Sequence, residues 1–226
     1  MPTQIKICGI RRPQDVDYIN EYLPDYIGFI FWEKSFRFVT LEQAMELRRQ
    51  TNPCIPAVGV FVNETPEKIA EFVQSGAIQI IQLHGQETEE DIAKVRALLP
   101  GVPVWKAFKV RSIEDLMRAQ ISTADRILLD NGYGTGHCFD HSLLVKSAGE
   151  GQYEEEHPAQ QPDSSYSEGQ CFTRPYILAG GLTPQIIPDV ITRYHPSMVD
   201  ISSGVETDQC KDRDKIRAAI QAVRKM

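Results

Sequence analysis

The sequence predicts one α/β domain spanning residues 1–226, folded as a closed (β/α)8 barrel with a polar insertion at residues 147–173. Three observations carry that prediction. Short β-rich apolar runs alternate with longer amphipathic ones, the pattern of parallel strands joined by helical crossovers. Eight such runs can be counted, and 226 residues is close to the ~250 that a barrel of this kind takes as one unit. A single long stretch departs from the alternation, and it is too polar to form core.

In chain order the strands are expected at Gln4–Cys8, Tyr26–Phe31, Ile55–Phe61, Ile78–Leu83, Val102–Phe108, Arg126–Asp130, Tyr176–Ala179 and Met198–Ile201. The segments between them carry helical apolar spacing, as in Leu41, Ala44, Met45 and Leu47, or Ile69, Phe72 and Val73, each with a polar opposite face. Thr40, Thr65 and Thr88 stand where N-caps are wanted, and Pro66 sits at a first helical position, where its missing N–H costs nothing. Eight strand-helix pairs in this length favour the closed TIM-barrel arrangement over an open doubly wound sheet. The exception, Ser147–Thr173, is rich in Glu, Gln, Ser, Gly and Pro and nearly empty of aliphatic residues, so it cannot supply core. It follows the sixth helix and precedes the seventh strand, on the face away from the barrel mouth. That makes it a solvated insertion, with a partner-binding or regulatory loop as the other reading.

Composition narrows the function. No apolar run approaches the ~20 residues needed to span a bilayer, and MPTQIKICGI lacks the features of a secretory leader, so no membrane and no export are expected. Five cysteines (Cys8, Cys54, Cys138, Cys171, Cys210) without a CxxC pair suit free thiols in a reducing, cytoplasmic setting. A net charge of −7 argues against nucleic-acid binding, which depends on Lys and Arg neutralising phosphates. The partner left is a small molecule, and no obligate protein partner is evident.

Active sites of barrels form at the C-terminal ends of the strands, and here aliphatic runs stop abruptly in KICG, QLHG, LLDNG, LAGG and VDISSG. Strand alternation turns Ile5, Ile7, Ile127 and Leu129 toward the helices. It turns Lys6 and Cys8, then Ile80, Gln82 and His84, then Arg126, Leu128 and Asp130, toward the barrel axis. Cys8 and Asp130 then face one another across the mouth as an acid-base pair. A thiol with a pKa of ~8.5 needs a nearby cation to act as a base, and Lys6 is the candidate; the alternative for Cys8 is a small buried hydrophobe. LAGGLT and SSGV follow strands seven and eight and offer bare backbone N–H groups to a phosphate, unless they are only tight turns. His84 is either a hydrogen bonder at the site, counted with Lys6 among the substrate-binding candidates, or a satisfied core group. His137 and His141, flanking Cys138, lack an HExxH or CxxC context and read as a helix-surface pair, so no metal is expected. Cys54, Cys171 and Cys210 lie outside strand ends and read as structural or surface thiols.

KICGI, DYIGFIFWEKSFRFVT, GVFVN, IQLHG, LLDNGYGTGHCFD, ILAGGLTP and VDISSGVE, in that order, make the chain resemble the phosphoribosylanthranilate isomerase family everywhere except around Gly149–Gln170. The resemblance implies an Amadori rearrangement in tryptophan biosynthesis, without cofactor or metal. It implies Asp130 as the acid that opens the furanose ring and Cys8 as the base that removes the C2′ proton. It further implies Arg37 on the anthranilate carboxylate, Asp200 holding the substrate, and phosphate on the backbone of Gly180, Gly181, Ser203 and Gly204. Departures from the family pattern are Phe36 for a proline, Tyr133 in the glycine-rich GGTG, His141 for a tryptophan, Ile186 for an asparagine, and ETDQCKD without its Pro-Gly. All lie near the mouth, where they bear on loop closure and affinity. Two other readings compete: a related sugar-phosphate isomerase, which would want Asp at Cys8 or a Lys and Glu set at the strand ends, and a non-catalytic barrel that binds a phosphorylated metabolite. The presence of both Cys8 and Asp130 argues against the second.

Overall fold

The computed structural model describes residues 2–130 and 172–226. Its strands are β1 (Gln4–Cys8), β2 (Tyr26–Ile30), β3 (Ala57–Phe61), β4 (Ile80–Leu83), β5 (Val104–Lys109), β6 (Arg126–Asp130), β7 (Tyr176–Leu178) and β8 (Met198–Ile201). All pair in parallel in chain order, and β8 closes on β1, with Lys6 in register with Asp200. This is the barrel that the alternation predicts. Strand ends shift by up to two residues, and proline accounts for two of the late starts. Pro56 and Pro103 have no N–H for the ladder, so β3 and β5 begin just after them, although both proline carbonyls still accept from the neighbouring strand.

The helices are α1 (Pro13–Tyr22), α2 (Leu41–Gln50), α3 (Pro66–Gln74), α4 (Glu89–Leu98), α5 (Ile113–Ile121), α6 (Ile187–Tyr194) and α7 (Arg213–Arg224). Thr40, Thr65 and Thr88 accept from the backbone N–H of Gln43, Lys68 and Asp91, as the sequence predicts. The helix expected after β6, Tyr133, the His137–His141 pair with Cys138, Cys171 and nearly all of the 147–173 insertion lie outside the described residues. Sequence reading missed one element. Beyond β8, a 3-10 turn (Ser203–Val205) leads into a hairpin of β9 (Glu206–Thr207) and β10 (Cys210–Lys211). Asp208 and Gln209, both at positive φ, make its two-residue turn.

Two apolar layers set the height of the site. Ile5, Ile7, Ile127 and Leu129 pack outward against the helices. Val58, Ile80, Trp105, Leu128, Ile177 and Met198 fill the barrel interior. At the N-terminal end the Arg126 guanidinium lies 5.5 Å from the Tyr26 ring and 5.3 Å from Trp105, and donates to the Gln4 side chain at 2.9 Å. The lower barrel is thus plugged, and the polar inward residues gather at the C-terminal ends. Among the described residues no helix is long and apolar enough to cross a membrane.

Candidate active site

Cys8 ends β1 beside Gly28 of β2. A Cβ at Gly28 would stand 2.7 Å from the Cys8 sulfur and 3.1 Å from Lys6 Cε, so only glycine leaves both side chains room. Below Cys8, Lys6 is fully buried and its ammonium donates to Asp200 Oδ2 at 2.8 Å, an ion pair inside the barrel. Burial would lower the Lys6 pKa, but Asp200 and then Cys8 overrule it and hold the ammonium above its ordinary value. For Cys8 the balance runs the other way. Burial pushes the thiol up, Lys6 pulls it down and Asp200 pushes it up again, leaving it above its ordinary value. Lys6 therefore favours the thiolate in the direction the sequence predicts, but burial outweighs it. Asp200 Oδ1 is buried with no hydrogen-bond partner among the described residues, so one carboxylate oxygen of this pair has an acceptor position unfilled.

Asp130 ends β6, and His84 follows β4 directly. His84 Nε2 lies 3.1 Å from Asp130 Oδ2, and His84 Nδ1 lies 3.0 Å from the side-chain nitrogen of Gln82. This chain of contacts fixes what each group can do. With the Gln82 amide donating to Nδ1, the imidazole carries its proton on Nε2 and donates to an ionised Asp130. With the amide turned over, Nδ1–H donates to Gln82 Oε1, and Nε2 accepts from a protonated Asp130. In the first arrangement Gln82 Oε1 is buried and without a partner among the described residues. Gln82 was legible as an inward residue, but nothing in the sequence marked it as a member of the site.

Arg37 stands in the connection after β2. Its Nε donates to Glu206 Oε1 and its Nη2 to Glu206 Oε2, each at 2.7 Å. Its guanidinium carbon sits 4.1 Å from the centre of the Phe36 ring. Glu206 also accepts from Lys211 Nζ at 2.7 Å, and Lys211 donates to the Ser202 carbonyl at 3.0 Å. The Ser202 hydroxyl in turn donates to the Cys8 carbonyl at 3.0 Å. Burial alone would raise the Glu206 carboxyl, but Arg37 and Lys211 overrule it and hold it below its ordinary value. Glycine-rich backbone borders the opposite side, with Gly180 at φ +89° and Gly181 at φ +64°, conformations that disfavour a side chain.

One cavity unites most of the predicted residues: Cys8, Arg37, His84, Asp130, Gly180, Gly181, Asp200 and Ser203 line it, together with Gln82 and the apolar side chains of Ile30 and Val60. Lys6 lies beneath the cavity wall rather than in it. Gly204 sits behind the wall, where a Cβ would fall 1.9 Å from the Leu182 carbonyl oxygen. Glu206 and Lys211 were not anticipated, because the hairpin that carries them was not. Cys54 is exposed and Cys210 half-buried, both as free thiols. Among the described residues no group of three or more His, Cys, Asp and Glu side chains is arranged to hold a metal ion.

The family model described as N-(5′-phosphoribosyl)anthranilate (PRA) isomerase matches residues 5–222. An N-(5′-phosphoribosyl)anthranilate isomerase of Acetivibrio thermocellus is 38% identical over 232 aligned positions, covering 98% of this chain and 96% of that protein. One of Clostridium acetobutylicum is 37% identical, covering 98% of each. The crystal structure of the phosphoribosyl anthranilate isomerase from Thermotoga maritima superposes with a TM-score of 0.80 at 32% identity, over 99% of this chain and 100% of that one. A phosphoribosyl anthranilate isomerase solved in complex with reduced 1-(o-carboxyphenylamino)-1-deoxyribulose 5-phosphate superposes at 0.78, with 31% identity and coverage of 99% and 100%.

Proposed function

Because the chain belongs to the N-(5′-phosphoribosyl)anthranilate isomerase family, we propose that it catalyses the Amadori rearrangement of N-(5′-phosphoribosyl)anthranilate to 1-(2-carboxyphenylamino)-1-deoxyribulose 5-phosphate in tryptophan biosynthesis. The observation that carries the reading is a single cavity bordered by an acid, a thiol, an arginine and two glycine-rich loops. Asp130 in its protonated form gives its proton to the furanose ring oxygen, the C1′–O bond breaks, and the anilino nitrogen takes up the charge as an iminium. Cys8 as thiolate then takes the C2′ proton, and the electron pair of that C–H bond neutralises the iminium. The resulting enolamine tautomerises to the ketone. The two proton transfers need one acid and one base on different sides of the ring, which suits groups on β1 and β6.

Each neighbouring group supports a step. His84 Nε2, 3.1 Å from Asp130 Oδ2, orients the Asp130 carboxyl group at the edge of the cavity. A thiol raised by burial is a scarce thiolate but a strong base once formed. Arg37 receives the anthranilate carboxylate, Asp200 Oδ1 accepts from a sugar hydroxyl, and Gly180, Gly181 and Ser203 hold the phosphate, with Gly204 shaping the turn behind them. Lys6 acts from below by holding Asp200 in place through their 2.8 Å ion pair. We assign the reaction to the cytoplasm, where Cys8, Cys54 and Cys210 stay reduced. Incubating the protein with N-(5′-phosphoribosyl)anthranilate and identifying the product by mass and by its reducible ketone tests the reading. Formation of the ketose supports it, and an unchanged substrate beside an active family control overturns it.

A further inference from the structure

We infer that Glu206 is a positioning residue that aims Arg37, so that substrate affinity at the carboxylate end is set by the hairpin after β8 as well as by the arginine itself. The inference rests on the proposed role of Arg37. A guanidinium offers five N–H donors arranged along two usable edges. Glu206 occupies the side edge through Nε and Nη2. The end edge, made of Nη1 and the second N–H of Nη2, has no partner among the described residues and can still receive a planar carboxylate through two parallel bonds. A side chain with four rotatable bonds would otherwise lose rotamer freedom each time it bound.

Three further contacts show that the geometry is held rather than incidental. The Phe36 ring lies against the guanidinium at 4.1 Å. Gly9 admits the arginine stem, since a Cβ there would stand 2.5 Å from Arg37 Cδ. Lys211, almost wholly buried, shares the Glu206 carboxylate, which pins the acceptor from behind. Two cations and one anion leave a single net positive charge, which an incoming carboxylate neutralises. Without Glu206, Arg37 would be free to turn and a buried Lys211 would lose its counter-ion, so its ammonium, already held below its ordinary value by burial, would fall further.

The experiment compares two ligands on the intact protein: the reduced product analogue with its carboxylate, and the matching anilino analogue without it. Glu206→Gln is expected to weaken binding of the first by about tenfold or more while leaving the second within about twofold, and to raise KM more than it lowers kcat. Glu206→Asp, which keeps the charge but shortens the reach, should fall between, and binding of the second analogue certifies that each variant is folded. Equal losses for both ligands, or none for either, overturn the positioning role. Arg37→Ala separates the two levels. If it fails to discriminate between the ligands, the reading of Arg37 falls; if it discriminates and Glu206→Gln does not, only the inference about Glu206 falls.

Discussion

Replacing Lys6 with methionine removes the cation of a pair buried at the heart of the barrel. The ammonium and Asp200 Oδ2 are 2.8 Å apart, with side chains 0% and 6% exposed, so water cannot take over the lost partner. Breaking such a pair from one side costs about 3–5 kcal/mol, because the remaining charge is stranded. Asp200 is poorly placed to compensate, since its other oxygen already has no partner among the described residues. For a chain of this size each kcal/mol shifts the midpoint by roughly 2–4 °C, so a loss of roughly 6–20 °C is expected. The variant also loses the downward pull of Lys6 on the Cys8 thiol, so the thiol pKa should rise. Denaturant titration measures the first effect, and the pH profile of Cys8 alkylation measures the second. Lys6→Met combined with Asp200→Asn should recover most of the stability. A Lys6→Met variant within about 1 kcal/mol of wild type, with an unchanged alkylation profile, would refute the reasoning.

Other outcomes follow from the same geometry. Gly28→Ala would set a methyl group 2.7 Å from the Cys8 sulfur; overpacking of this kind costs about 1–3 kcal/mol and should cut turnover well beyond its effect on the melting temperature, and an alanine variant with wild-type kcat would show that Cys8 has slack. Glu206 titrates below its ordinary 4.5 when folded, so its contribution to stability is complete above pH 4.5 and is lost as the pH falls through the folded value; Glu206→Gln should flatten the acid limb of a stability-against-pH curve, which urea titrations at a series of pH values would resolve. Deleting Gly149–Gln170, which the sequence reads as a solvated insertion, should leave kcat within about twofold of wild type; a folded deletion variant without activity would move that segment into the working enzyme.

The barrel was legible because parallel strands buried on both faces leave continuous apolar runs, and because a period-two pattern fixes which side chains point inward. That alternation brought Cys8, His84 and Asp130 to one end of the barrel, where they line one cavity; Asp200 came from the family resemblance. What escaped had physical causes. The β9–β10 hairpin consists of two-residue strands, too short to show periodicity, and its turn uses Asp208 and Gln209 rather than the glycine that usually marks one. With it went Glu206, whose partner Arg37 is 169 positions away in the chain. The Gln82 to His84 contact is local, but its meaning depends on Asp130 arriving from another strand. Lys6 was read as a cation for Cys8, and its commitment to Asp200 follows from the closure of β8 on β1, a pairing of the chain's two ends that no local pattern encodes.

The account stands on Cys8 and Asp130 acting as base and acid in one cavity. Mixing the protein with phosphoribosylanthranilate and following the loss of its fluorescence, beside Cys8→Ala and Asp130→Asn, examines both at once. Wild type should consume the substrate, and each variant should be slower by about 10²-fold or more while remaining folded. Full activity in either variant would contradict the assignment of that residue, and an inert wild type would contradict the function itself.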